Sequence, residues 1–97
     1  MEDKKKNDNG NGQQNLMTLI FIVNGKPTTV EKVNINQPLK VSVEKALNQT
    51  GNTGRDLSDW LVKYNDQDLN INSKVEDLNL PNNAKIFISL KSAAGGN

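Results

Sequence analysis

The dipeptide Asn24-Gly25 constrains the fold of this chain more than any other feature, because it separates two runs with strand character. Asn-Gly is the strongest short hairpin signal, since both central positions of the turn tolerate positive φ. The run at 16–23 (LMTLIFIV) is dense in β-forming residues, and the run at 28–35 (TTVEKVNI) is its expected partner. Val30 breaks the alternation of the second run, which predicts either a bulge or an exposed Val30.

A single amphipathic helix is predicted after the hairpin. Four apolar residues fall on one helical face: Leu39, Val43, Ala46 and Leu47. Asn36 is a candidate N-cap with Pro38 in the first turn, and Gly51 suits the C-terminal stop. The pattern therefore predicts a helix over about 37–49.

Short strands separated by turns are predicted for the second half of the chain. Residues 57–64 (LSDWLVKY) predict a third strand, 65–68 a turn, and Leu69 with Ile71 a short fourth strand. Residues 73–80 (SKVEDLNL) predict a short helical turn. Three apolar side chains of that turn are expected to point inward: Val75, Leu78 and Leu80.

Residues 84–90 (AKIFISL) predict a fifth strand after a turn at 81–83. Alternation divides its side chains between two faces. One face carries Ile86, Ile88 and Leu90, and the other carries Lys85, Phe87 and Ser89. The whole order is two strands, a helix, two strands, a helical turn and a strand, which predicts an α+β fold with a mixed sheet wrapped on one helix.

The composition excludes several classes of function. The chain has 97 residues, 34% of them hydrophobic, which suits one small domain. It has no cysteine and no histidine, which removes disulfides, thiolate and imidazole catalysis, and the usual zinc ligands. Catalysis by carboxylates alone stays open, although the acidic residues are scattered and form no obvious paired cleft. We expect no cofactor and no metal. A net charge of +1 gives no electrostatic case for binding nucleic acid or a membrane.

The two ends differ in composition from the body of the chain. Residues 1–15 have no hydrophobic residue after Met1 and predict a disordered arm before a domain at 16–91. No signal peptide is visible and the longest apolar stretch is too short to span a bilayer, which favours a cytoplasmic protein. Residues 92–97 (SAAGGN) predict a flexible tail. In it, two glycines without Cβ atoms precede a one-residue cap: Gly95, Gly96 and Asn97.

This order of elements, ended by a Gly-Gly tail, resembles the β-grasp fold of ubiquitin over about residues 16–96. The best local match is 75–80 (VEDLNL) followed by 84–91 (AKIFISLK), where ubiquitin has LSDYNI and then TLHLVLR with the same spacing. Ile86 and Ile88 match strand residues that pack on the helix in ubiquitin. The Gly-Gly pair comes one residue later than strict register would place it.

The resemblance implies a protein that is itself a substrate. A processing peptidase would remove Asn97, an activating enzyme would adenylate the Gly96 carboxylate with ATP, and a conjugating enzyme would pass it to a lysine of a target protein. A side chain at Gly95 or Gly96 would crowd the reacting groups. No arginine precedes the glycines, since 92–94 read SAA. The chain is therefore more similar to the bacterial ubiquitin-like modifiers of ubiquitination-like operons, and that resemblance implies a role in antiphage defence, on which no residue of this chain bears.

The same resemblance implies a surface for partner binding, because ubiquitin is recognised through an apolar patch on the open face of its sheet. Phe87 is the first candidate here, with Leu61 and its neighbours Trp60 and Val62 on the third strand. The parity of that strand leaves open which of the three is exposed, and Trp60 fits a core position slightly better. Ser89 stands where ubiquitin has a patch valine.

Two other functions stay open from the sequence. A sulfur carrier would hold a thiocarboxylate at its terminal glycine, and Asn97 would first have to be removed. A ubiquitin-like binding module would not be conjugated, and its glycines would have no chemical role. The C-terminus of the mature protein distinguishes the binding module from the other two, and exchange of one oxygen for sulfur would identify the carrier.

Overall fold

The predicted hairpin forms one edge of the sheet. The computed structural model describes residues 15–91, in which β1 is Leu16–Val23 and β2 is Lys26–Asn34. The strands pair antiparallel across a two-residue turn, whose residues Asn24 and Gly25 have φ of 50° and 84°. Positive φ at both positions matches the twist of the turn to that of the strands, so the hairpin prediction is confirmed.

A bulge in β2 explains the broken alternation around Val30. Thr18 of β1 stands opposite two residues, Glu31 and Lys32, and Lys32 has a φ of 58°. Because the extra residue shifts the parity, Val30 and Val33 both face the core and are 1% and 3% exposed. The bulge alternative is confirmed, and the exposed alternative is wrong.

The helix α1 spans Leu39–Gln49, so it begins later than predicted. Pro38 is the flanking residue and no side chain among residues 15–91 caps the helix, which makes the prediction of Asn36 as N-cap wrong. The predicted stop at Gly51 is confirmed. Gly51 has a φ of 75° just past the end of the helix, a conformation that glycine adopts without a steric cost.

A distant loop takes the place of the missing side-chain cap. The N–H of Leu39 donates to the carbonyl of Ser73 at 3.0 Å. The N–H of Lys40 donates to the carbonyl of Ile71 at 2.9 Å. The first N–H groups of a helix need acceptors from outside the helix, and here backbone carbonyls of the loop after the fourth strand supply them.

The third strand is shorter than predicted. It is β3, Trp60–Tyr64, and the three residues before it, Leu57–Asp59, form one turn of 3-10 helix. The N–H of Asp59 donates to the carbonyl of Asp56 at 2.9 Å, a bond between residues three apart that closes the turn. The extended chain therefore starts only at Trp60.

The fourth strand lies earlier than predicted. Asn65 and Asp66 have φ of 52° and 66° and form a second two-residue turn, so the chain returns at once as β4, Gln67–Asp68. The prediction of a strand at Leu69 and Ile71 is wrong. These two residues follow the strand, and the carbonyl of Ile71 is used to cap α1.

The fifth strand lies in the middle of the sheet. It is β5, Ala84–Leu90, and the strand order is β2-β1-β5-β3-β4. β1 and β5 run parallel, and the other neighbours run antiparallel. A short 3-10 helix at Val75–Leu78 occupies the predicted helical turn. The mixed sheet with one helix is the α+β arrangement that the sequence predicts.

The core lies between α1 and one face of the sheet, which we call the inner face. Its buried apolar residues come from every strand except β4, from α1, and from the segment between β4 and β5. They are Leu19, Phe21, Val23, Val30, Val33, Leu39, Val43, Ala46, Leu47, Trp60, Val62, Val75, Leu80, Ala84, Ile86 and Ile88. Full burial of a large apolar side chain contributes about 1.5–3 kcal/mol, so this cluster fixes which side of β1, β2, β3 and β5 faces α1.

Both ends of the chain lie largely outside the described residues. Of the predicted arm at 1–15 the structure describes only the last residue, and of the predicted tail at 92–97 it describes none. The tail contains the predicted conjugation and processing residues: Gly95, Gly96 and Asn97. Between 15 and 91, no helix is long and apolar enough to cross a membrane. Over the same span, no group of three or more His, Cys, Asp or Glu side chains is placed to hold a metal ion.

Candidate partner-binding surface

The outer face of the sheet is the side turned away from α1. Over the residues that pair between β1, β5 and β3, alternation places seven side chains on it: Ile20, Ile22, Leu61, Lys63, Lys85, Phe87 and Ser89. Each of them is half-buried or exposed, whereas Ile86 and Ile88, on either side of Phe87, are buried. The outer face is therefore the accessible side of the sheet, and its centre is partly apolar.

Phe87 is the centre of a row of residues that crosses all five strands. From β2 to β4 the row runs Pro27, Ile22, Phe87, Lys63 and Asp68, each in register with the next. Cross-strand neighbours have Cβ atoms about 4.5–5.5 Å apart, so Phe87 has an isoleucine on one side and a lysine stem on the other. Phe87 is nevertheless 52% exposed. Core packing therefore does not account for its position, which makes Phe87 the candidate for contact with a partner.

An open groove of about 570 Å³ runs beside Phe87 toward Pro81 and the turn between β3 and β4. A volume of this size accommodates one or two side chains of a bound segment. Three charged residues line the groove, namely Lys63, Lys85 and Asp66, and the other lining residues are uncharged. The groove therefore combines an exposed aromatic ring with an excess of positive charge.

The structure separates the four residues that the sequence suggests for partner contact. Phe87 and Leu61 lie on the outer face, where Leu61 pairs with Ser89 beside the Phe87 row. Trp60 and Val62 point to the inner face and are 5% and 6% exposed. They are core residues, because alternate residues of β3 point to opposite sides, and they do not belong to the candidate surface.

Three residues of the outer face were not identified from the sequence as candidates for partner contact: Ile20, Ile22 and Lys63. For the two isoleucines a signal was present, because the run LMTLIFIV is apolar at both parities and a strand can turn only one parity toward α1. Lys63 gave no signal of its own. Its place beside Phe87 depends on the pairing of β3 with β5, which no local pattern specifies.

The end of β5 fixes where the chain leaves the sheet. The N–H of Lys91, the last described residue, donates to the carbonyl of Asp59 at 2.9 Å. Leu90 before it is paired with Trp60 and is 38% exposed. The chain therefore departs beside the 3-10 turn that precedes β3, with an exposed leucine at the point of departure.

Sequence comparisons match most of the chain. A family model described as "Protein of Unknown function (DUF2604)" matches residues 12–96. The chain is also similar to "Uncharacterized protein y4jI" of Sinorhizobium fredii. The two are 36% identical over 94 residues, which cover 94% of this chain and 70% of the relative. The matched regions include β1 to β5 and the helix between them.

Solved structures with a similar fold are ubiquitin-like. A chain from "Molecular Mimicry of SUMO promotes DNA repair" has a TM-score of 0.67 at 12% identity, covering 78% of this chain and 92% of that one. Caldiarchaeum subterraneum ubiquitin has a TM-score of 0.64 at 16% identity, with coverage of 82% and 99%. A designed protein based on ubiquitin has a TM-score of 0.67 at 19% identity, with coverage of 81% and 93%. The likeness confirms the predicted ubiquitin-like β-grasp fold.

Proposed function

This chain belongs to the family described as Protein of Unknown function (DUF2604), and from its ubiquitin-like fold and the Gly95-Gly96 pair we propose that it is a protein modifier rather than an enzyme. It is processed after Gly96 and joined through the Gly96 carboxyl to amines of target proteins. The observation that carries the proposal is the position of Gly95 and Gly96, which follow the last strand of a ubiquitin-like domain in the sequence. The family match also ends at Gly96.

The proposed reaction sequence uses catalytic groups of the partner enzymes alone. A peptidase hydrolyses the bond between Gly96 and Asn97. An activating enzyme joins the Gly96 carboxylate to the AMP part of ATP, and pyrophosphate leaves. A nucleophilic side chain of an enzyme then takes the acyl group and AMP leaves, and a conjugating enzyme passes it to a lysine amine to form an amide. The lack of cysteine and histidine in this chain is consistent with its being the substrate of these enzymes.

The reach of the tail limits which part of the domain those enzymes contact. Gly96 is the fifth residue after Lys91 in the sequence. Five extended residues span at most about 18 Å, so an active site that acts at Gly96 lies within that distance of Lys91. The neighbours of Lys91 on the surface, including Leu90 and the outer-face residue Leu61, are therefore within reach of the same enzymes.

We place recognition by partners on the outer face, with Phe87 as the apolar anchor and Leu61 beside it. The pathway is proposed to be bacterial and cytoplasmic. A relative in Sinorhizobium fredii supports the bacterial origin. The absence of arginine before Gly95 supports enzymes other than those that activate eukaryotic ubiquitin, since 92–94 read SAA.

Denaturing mass spectrometry of the tagged full chain, recovered from its native cells, tests the proposal. We expect chains that end at Gly96, some of them joined by an amide to lysines of other proteins. Gly96→Val is the matched variant, because it blocks close approach of the reacting groups and leaves residues 15–91 unchanged. We expect it to fold normally, by circular dichroism, and to form no conjugates.

The other outcomes of this experiment identify the alternative functions. Chains that keep Asn97 and carry no adducts would make the protein a binding module. A terminal glycine with sulfur in place of one oxygen, and no protein adducts, would make it a sulfur carrier. Normal conjugation by Gly96→Val would remove the proposed role of the glycine.

A further inference from the structure

We propose that the groove beside Phe87 binds an acidic peptide segment of a partner protein, with one apolar side chain of that segment on the Phe87 ring and carboxylates beside Lys63 and Lys85. This inference rests on the proposed use of the outer face for recognition and adds the chemistry of the partner. It does not depend on conjugation through Gly96.

The arrangement of charge around Phe87 favours an acidic segment. Lys63 is the direct cross-strand neighbour of Phe87, and Lys85 is two residues before it on the same face of β5. The two lysines therefore stand on two sides of Phe87, one across the strand pair and one along β5, and both line the groove. Long lysine side chains lay their methylenes along apolar surface and keep the ammonium in water, so both groups stay available to a ligand's carboxylates.

Two acidic residues lie farther from the ring and oppose this binding. Asp68 is in register with Lys63 across β3 and β4, on the side away from Phe87. Asp66 lines the groove at the turn. Because both carboxylates lie toward the β4 edge, the ligand's carboxylates are expected on the Phe87 side of Lys63 and beside Lys85.

The side of Phe87 toward β1 supplies the apolar part of the site. Ile22 is its neighbour in register, and Ile20 pairs with Lys85 in the adjacent row. An apolar ligand side chain at Phe87 therefore meets hydrocarbon toward β1, with Lys63 toward β3 and Lys85 along β5. This division predicts a ligand in which one apolar residue is flanked by acidic ones, rather than a purely acidic or a purely apolar segment.

A titration of the isotopically labelled full chain, followed by amide chemical shifts, tests the inference. The probe is a synthetic seven-residue peptide with a central leucine and three glutamates on each side. We expect shifts concentrated at Lys63, Lys85, Phe87 and Ser89. A peptide with a central serine should bind more weakly, and one with lysines in place of the glutamates should not bind.

Substitution of the two lysines supplies the matched comparison. Lys63→Gln and Lys85→Gln should each weaken binding about 1.4- to fivefold, the range for exposed charge pairs. Lys63→Gln with Lys85→Gln in one chain should weaken binding further. Lys40→Gln with Lys45→Gln removes the same two charges from α1, on the opposite side of the molecule, and should leave binding unchanged. Asp66→Asn should strengthen binding, because it removes a carboxylate that lines the groove and repels the peptide. The turn should be kept, since Asn also tolerates the positive φ at this position.

Three results would overturn the inference. The first is that the peptide causes no chemical-shift changes at the outer face. The second is that the α1 substitutions weaken peptide binding as much as the Lys63 and Lys85 substitutions do. The third is that a ten-residue oligothymidine binds as tightly as the peptide, which would indicate a general preference for polyanions. None of these results bears on Gly96. If the peptide binds but the cells contain no conjugates, the acidic-segment site stands and the modifier proposal fails. If conjugates form but the peptide does not bind, only this inference fails.

Discussion

The hydroxyl of Thr28 donates a hydrogen bond of 2.6 Å to the side-chain amide oxygen of Gln49, which joins β2 to the last residue of α1. Thr28→Val keeps the β-branched shape and removes this bond. Because the bond is exposed to solvent, we expect the free energy of unfolding to fall by only about 0.5–1 kcal/mol. Urea denaturation measures the loss. Thr29→Val, on the exposed neighbouring residue, is the control and should be neutral, so equal losses in both variants would contradict the prediction.

Lys32 is the residue that the bulge in β2 places in the left-handed region, with a φ of 58°. A residue with a Cβ pays about 1–2 kcal/mol for this conformation, and glycine avoids it. After allowance for glycine's greater entropy in the unfolded chain, we expect Lys32→Gly to raise the free energy of unfolding by about 0.5–1 kcal/mol.

Glu31 supplies the control for Lys32, because it lies in the same bulge without a positive φ. Glu31→Gly should lower the free energy of unfolding by about 0.5–1 kcal/mol, as glycine does in a strand. If parallel urea titrations show a gain in the free energy of unfolding for Lys32→Gly and a loss for Glu31→Gly, backbone conformation is the cause. A loss of stability in both variants would show that Lys32 is not strained.

The two hairpin turns offer a reciprocal test of the same principle. Gly25 and Asp66 occupy the second position of equivalent two-residue turns, with φ of 84° and 66°. We expect Gly25→Asp to destabilise the domain and Asp66→Gly to stabilise it, each by about 1 kcal/mol. Thermal unfolding followed by circular dichroism should show midpoints shifted in opposite directions. Shifts of the same sign would mean that side-chain contacts at one turn outweigh the backbone preference.

Local sequence patterns predicted those parts of the fold whose causes are also local. Asn24-Gly25 specified its turn because both residues adopt positive φ, and the stripe that begins at Leu39 specified the buried side of α1. The alternation in β5 correctly placed Ile86 and Phe87 on opposite faces. Each of these features depends on residues within a few positions of one another, so a local stretch of sequence is enough to predict it.

Features that depend on distant residues were not predictable in the same way. Asn36 has the side chain of a good cap, but the carbonyls of Ile71 and Ser73 reach the first turn of α1 from the loop after β4. The partner-binding surface shows the same limit. Phe87 was found by alternation, whereas Lys63 becomes its neighbour only through the pairing of β3 with β5.

Phe21 and Phe87 lie on opposite faces of the sheet, on neighbouring strands, and offer a direct test of the candidate surface. Phe21 is fully buried, and Phe21→Ala should cost about 3–5 kcal/mol, enough to unfold much of so small a domain. Phe87 is 52% exposed, so Phe87→Ala should cost about 1 kcal/mol or less. Thermal unfolding should therefore stay cooperative in Phe87→Ala, and in Phe21→Ala it should be lost or strongly shifted.

In the peptide titration, Phe87→Ala should abolish the preference for a central leucine. If Phe87→Ala were as damaging to the fold as Phe21→Ala, Phe87 would be a structural residue, and the outer face would lose its proposed anchor.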